Sequence, residues 1–132
     1  MATQATRLRI NLPPFKSGRT EWRRLVHRAI LGAKLSSGVR FVQGQPVAVT
    51  VRLLLPPAKF HGVDLDNRVK HIMDALQGAI AGEGKKTRRH KRLIGNDGQV
   101  CRIKAEKIME SRAKPNQPRN GGYVVVQAIG RR

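Results

Sequence analysis

Acidic residues are scarce in this chain, and their positions decide what chemistry it could perform. Only eight Asp and Glu stand against 27 Lys and Arg, and Glu21 alone among the acids precedes residue 60. In Asp64-Leu65-Asp66-Asn67 two carboxylates are spaced so that, in an extended segment, both point the same way. Close carboxylates repel unless a cation lies between them, and a hard divalent ion such as magnesium suits oxygen donors of this kind. If a helix begins at Asp66 or Asn67, Lys70 lies one turn on and Asp74 one turn beyond, along a single edge. A lysine so placed can meet a phosphate, or the charge that develops during phosphoryl transfer. The same Asp and Asn are equally suited to cap a helix, because their oxygens accept bonds from its free N–H groups. Spacing therefore leaves capping and metal binding both open. Asp97, within Asn96-Asp97-Gly98, reads first as a turn residue.

These side chains need elements to hold them. Arg7 to Leu12 alternates polar and apolar residues before Pro13-Pro14, which predicts a short strand. Trp22, Leu25, Val26, Ala29 and Ile30 recur at helical spacing, giving a basic amphipathic helix from about Thr20 to Lys34, broken at Ser36-Ser37-Gly38. Val47, Val49, Val51, Leu53 and Leu55 alternate as a strand until Pro56-Pro57, and a loop follows over Ala58 to Val63. A second helix is predicted from Asn67 to Ala81, with Val69, Ile72, Met73, Leu76 and Ile80 on its stripe and Gly82 and Gly84 at its end. Strands are expected at Gln99 to Ile108, with Cys101, Ile103 and Ala105 on one side, and at Gly122 to Ile129. A basic loop at about 83–96 and a polar loop at about 110–121 separate these elements. The order β-α-β-α-β-β predicts a single domain over 1–132: a two-layer α+β fold with a four-stranded mixed sheet and two main helices.

Composition narrows the class of partner. A formal net charge of +19 and a pI near 11.8 repel within the compact state and call for a polyanion, nucleic acid first and acidic membranes second. Lys85, Lys86, Arg88, Arg89, Lys91 and Arg92 form a cationic run without one acid, readable either as a solvated loop or as a DNA clamp; Arg102 and Lys104 add to it. No run nears the roughly 18 apolar residues of a membrane span, and the amino terminus lacks the apolar centre of a secretion signal. The expectation is a cytoplasmic protein, nucleoid-associated when bound to DNA, with no membrane partner. Cys101 is the one cysteine, so disulfide and zinc-finger scaffolds drop out. His27, His61, His71 and His90 are too scattered to suggest a histidine metal centre, and Trp22 reads as a core residue.

The full constellation resembles a known signature. Asp64-Leu65-Asp66-Asn67, Lys70, Asp74-Ala75-Leu76 and Asn96-Asp97-Gly98-Gln99-Val100 look like the pattern of the RusA family of Holliday junction resolvases, over about a third of the chain from Asp64 to Lys107. That resemblance implies that Asp64, Asp66 and Asp97 are catalytic carboxylates binding Mg2+ and that Lys70 is the essential basic residue. It further implies a homodimer making symmetric cuts in a four-way DNA junction, in recombination and repair. The competing expectation, drawn from charge and size alone, is a non-catalytic RNA- or DNA-binding protein of ribosomal type. Asp66→Asn separates the two, since it abolishes cleavage in the first and leaves or improves binding in the second.

Overall fold

The computed structural model describes residues 6–14, 19–42, 44–81, 87–89, 92–95, 97–110 and 121–129. Strand β1 (Arg7–Asn11) keeps the expected alternation, with Leu8 and Ile10 buried and Arg7, Arg9 and Asn11 exposed. Helix α1 (Arg19–Ser37) buries Trp22, Val26 and Ile30 along its apolar stripe. It runs past the expected end at Lys34 because Ser36 Oγ donates to the Gly32 carbonyl (2.7 Å), and Ser37 Oγ to that of Lys34 (3.4 Å). Gly38 then ends the helix with φ 71°, its N–H on the Lys34 carbonyl at 3.0 Å. Strand β2 (Val47–Leu55) is the spine of the sheet, and Val47, Val49, Val51, Leu53 and Leu55 are all buried.

The segment expected as loop after β2 contains a one-turn helix, α2 (Pro57–Phe60), with Pro57 at its start, where a missing N–H costs nothing. Helix α3 (Leu65–Leu76) buries Ile72, Met73, Ala75 and Leu76 and stops well before the predicted end at Ala81. Gly78, at φ 74°, turns the chain, and its N–H bonds the Ala75 carbonyl at 3.0 Å. Ile80 therefore lies not on the helical stripe but in strand β3 (Ala79–Ala81), which pairs antiparallel with β4 (Thr87–Arg89). A strand thus occupies the middle of the basic run expected as a loop; Gly82, Gly84, Lys85, Lys86, His90 and Lys91 lie outside the described residues. On the return, Leu93 and Ile94 both donate their N–H to the Leu76 carbonyl (2.9 and 3.2 Å), satisfying the free end of α3.

A 3-10 turn at Asp97–Gln99 leads into strand β5 (Val100–Met109), and the chain finishes in β6 (Tyr123–Ala128). The four long strands form one sheet in the order β1-β6-β2-β5. The first two junctions are antiparallel and the β2–β5 junction is parallel, so the sheet is mixed and the layout is the expected two-layer α+β domain. The last strand enters between β1 and β2. Gly122 makes this possible: at φ 91° its backbone presses on β2, where a Cβ would collide with the Arg52 carbonyl oxygen. Helices α1 and α3 cover one face, joining Trp22, Val26, Ile30 and Ile72 to Leu8, Ile10, Val49, Val51, Val124 and Val126 in a single core. Edge strand β5 departs from expectation. Cys101 is the extra residue of a register shift between the Val47–Val100 and Ala48–Arg102 pairs, and it is exposed. Ile103, in register with buried Val49, is 49% exposed on this edge strand.

Candidate functional site

The start of α3 is built by the acids themselves. Asp64 is its N-cap, in extended conformation (φ −85°, ψ 110°), with Oδ1 accepting from the Asp66 N–H at 3.1 Å and Oδ2 from Asn67 Nδ2 at 3.0 Å. The cap reading of this residue is therefore correct, and it satisfies one of the orphan donors of the first turn. Capping does not exhaust the carboxylate, since each oxygen has a second lone pair. Asp66 sits in the first turn, exposed and favoured there by the helix dipole. Lys70 follows one turn on, also exposed. Asp74, on the same edge, faces α1 instead, where its Oδ2 lies 3.9 Å from Arg23 Nη1 and ties the two helices together. Arg68, almost fully buried, reinforces that joint with its guanidinium 5.1 Å above the Trp22 ring. The edge predicted from spacing thus divides into an exposed half, Asp66 and Lys70, and a half bound into the interhelical seam.

A residue that the sequence reading passed over secures the acidic turn. Lys107, on β5, donates from Nζ to the carbonyls of Phe60 (2.7 Å) and Val63 (3.0 Å), and the ammonium stands 4.7 Å from the centre of the Phe60 ring. These bonds clamp the segment immediately before Asp64. A signal existed: Lys107 pairs with buried Leu53, so a charge stands at an inward position of the strand and requires partners.

Asp97 is held elsewhere. Its backbone opens the 3-10 turn before Val100, at the end of β5 opposite Lys107, and its side chain lies outside the described part. Gln99 fixes this turn: buried, it accepts from the Gly95 N–H at 2.6 Å and donates to the carbonyls of Gln45 (2.9 Å) and Val42 (3.4 Å). Because Leu93 and Ile94 hang on the far end of α3, Asp97 and Asp64 are separated by nearly the length of that helix, on the order of 20 Å at about 1.5 Å per residue. One chain brings Asp64 and Asp66 to one turn but leaves Asp97 apart. Among the described residues no group of three His, Cys, Asp or Glu side chains is placed to hold a metal ion.

The expected DNA contacts are likewise distributed. Arg88 and Arg89 have their backbone in β4, Arg92 is exposed beside it, and Lys85, Lys86 and Lys91 lie outside the described residues. Arg92 borders a cleft of about 290 Å³ whose walls carry Lys34 and Arg40 and whose floor is Phe41, Leu93 and Ile94. Lys34 Nζ closes one side by donating to the Arg92 carbonyl at 3.1 Å. Arg102 and Lys104 are exposed on β5, on the side of the sheet away from α1 and α3. His61 is exposed and meets the Phe60 ring edge-on at 5.2 Å, whereas His71 is buried in α3 and His90 lies outside the described residues. No described helix is long and apolar enough to cross a membrane. No family model, curated protein or solved structure matches the chain.

Proposed function

We propose that the protein is a magnesium-dependent endodeoxyribonuclease that resolves four-way DNA junctions by paired phosphodiester hydrolysis, acting as a homodimer. The observation that carries this reading is the exposed pair Asp64 and Asp66, with Lys70 one turn on, at the start of a helix in a molecule of formal charge +19. A molecule that only bound polyanions would gain from neutral caps there, since Asn caps a helix as well as Asp and repels no phosphate. The donor set suits magnesium: both carboxylates are hard, solvent-facing oxygen ligands, and that ion binds through one or two carboxylates while keeping several waters. Bound there, magnesium supplies an activated water and offsets charge on the phosphoryl group. Lys70 contacts a phosphate oxygen of the strand being cut, and the surrounding cations draw DNA toward carboxylates that would otherwise repel it. With some 20 Å between Asp97 and Asp64 in one chain, Asp97 joins the set from a second copy, and twofold symmetry then provides one site for each of two strands.

The test is cleavage of an end-labelled synthetic four-way junction in magnesium, beside linear duplex and single-stranded controls, with wild type and Asp66→Asn. Symmetric nicks confined to the junction, lost at least about 100-fold in the variant with binding unchanged, are expected, a factor of ten being about 1.4 kcal/mol of barrier. A second reading has its own support in the cap geometry, because both Asp64 oxygens already serve α3. If the chain is a non-catalytic nucleic-acid binder, neither protein cuts any substrate in magnesium or manganese, and Asp66→Asn binds as well or better.

A further inference from the structure

Sheet register assembles a surface that no segment of the sequence displays. The face of the sheet turned away from α1 and α3 carries Arg7 and Arg9 on β1 and Arg102 and Lys104 on β5, all exposed. The pairings align them in rows: Arg7–Gln127–Ala48–Arg102, and next to it Arg9–Val125–Thr50–Lys104. Cations therefore stand on both edges and uncharged residues between them. In the third row Arg52 meets Glu106 at 3.0 Å, so the one acid among the described residues of this face is already neutralised. Charge on edge strands, lysine especially, also deters strand pairing, and the excess here is entirely positive.

We propose that this sheet face, with its cations exposed along both edges, binds the phosphate backbone of a duplex DNA arm. A second copy of the chain is a poor occupant, since two such faces would bring like charges together in low dielectric. A single strand is also a poor fit. Single-strand grooves rely on free aromatic platforms, whereas Tyr123, the aromatic residue of this face among the described residues, is covered by the Arg9 guanidinium 4.1 Å from its ring centre. The two edges are three strand spacings apart, about 14 Å, and so offer two rows of cations. A duplex groove, about 6 or 12 Å wide, has two phosphate walls for them, where a single strand has one. The face lies across the sheet from α3. Resting on the nuclease reading, the arm held here is not the one being cut, and a branched DNA can reach both places where a straight duplex cannot.

The experiment measures fluorescence-anisotropy binding of a four-way junction, a linear duplex and a single strand in EDTA, which keeps binding separate from cleavage. It compares wild type, the face triple Arg7→Gln/Arg102→Gln/Lys104→Gln, and the charge-matched triple Arg24→Gln/Arg28→Gln/Arg40→Gln, with circular dichroism to verify folding and the single Lys104→Gln as a milder variant. The expected result is a loss of junction and duplex affinity confined to the face triple. The slope of log K against log salt should fall by about 0.9 for each phosphate contact removed, up to about 2.7. Equal losses in the two triples, or none in the face triple, would overturn the proposal, as would a preference for single strands. Magnesium cleavage by the same proteins separates the two readings. A face triple that loses binding while wild type never cuts sinks the nuclease and leaves the face standing. A face triple that binds as wild type sinks the face even if cleavage is intact.

Discussion

Asp64 caps α3 and, in the proposed function, also binds magnesium, and substitution can pull the two apart. Asn keeps the capping geometry and removes the charge, whereas Ala removes both. Asp64→Asn should therefore melt close to wild type yet lose magnesium-dependent cleavage. Asp64→Ala should in addition lose about 1 kcal/mol of stability, or about 4 °C in Tm, because the Asp66 N–H and the Asn67 amide lose their acceptor. Parallel thermal melts and junction assays of the two variants decide the matter; equal cleavage by Asp64→Asn and wild type would reduce Asp64 to a cap. Lys107 acts one step back, through the carbonyls of Phe60 and Val63. Lys107→Met should cost about 1.5–3 kcal/mol, the range for charged hydrogen bonds, and speed amide exchange across Val63 to Asp66. Unchanged exchange there would remove it as a positioning residue.

Elements begin and end where backbone geometry requires, and this is what periodicity misjudged. Helix α3 has apolar residues at helical spacing through Ile80, yet it stops at Leu76 because Gly78 takes a left-handed turn and the chain at Leu93 and Ile94 returns to claim the last carbonyl. The stripe pattern contains no information about that returning segment. Helix α1 erred the other way, since serines that often interrupt helices here bond back to the preceding turn. Glycine carries the entry into β6. Gly122→Ala would drive a Cβ into the Arg52 carbonyl at a φ of 91°, and it should cost about 3 kcal/mol or more, measured by urea unfolding. A shift below about 1 kcal/mol would mean that the strand can retreat from β2.

For the molecule as a unit, the separation of Asp97 from Asp64 makes a prediction about copies. Asp66→Asn and Asp97→Asn should each be inactive, but a mixture allowed to exchange subunits should regain nicking. The mixed dimer holds one site with both changes and one with neither, and it forms half of a statistical population, so the nicking rate should be about one quarter of wild type. No recovery would place the three carboxylates within one chain or outside catalysis. Sedimentation at the same concentrations establishes whether a dimer exists to exchange.

The class of the fold and the identity of the scarce acids were open to reading in the sequence, because alternation, helical stripes and charge are local properties written residue by residue. Leu8 and Ile10, the odd-numbered positions of β2, and the Asp64 turn all lie as their neighbours dictate. What required the tertiary structure was every relation set by chain segments far apart: the insertion of β6 between β1 and β2, the clamp from Lys107, and the alignment of Arg7 and Arg9 with Arg102 and Lys104 across four strands. The distance between Asp64 and Asp97 belongs to the same class. Sequence order puts the two in one motif, but the rigid length of α3 holds them apart, and only packing decides which of those governs.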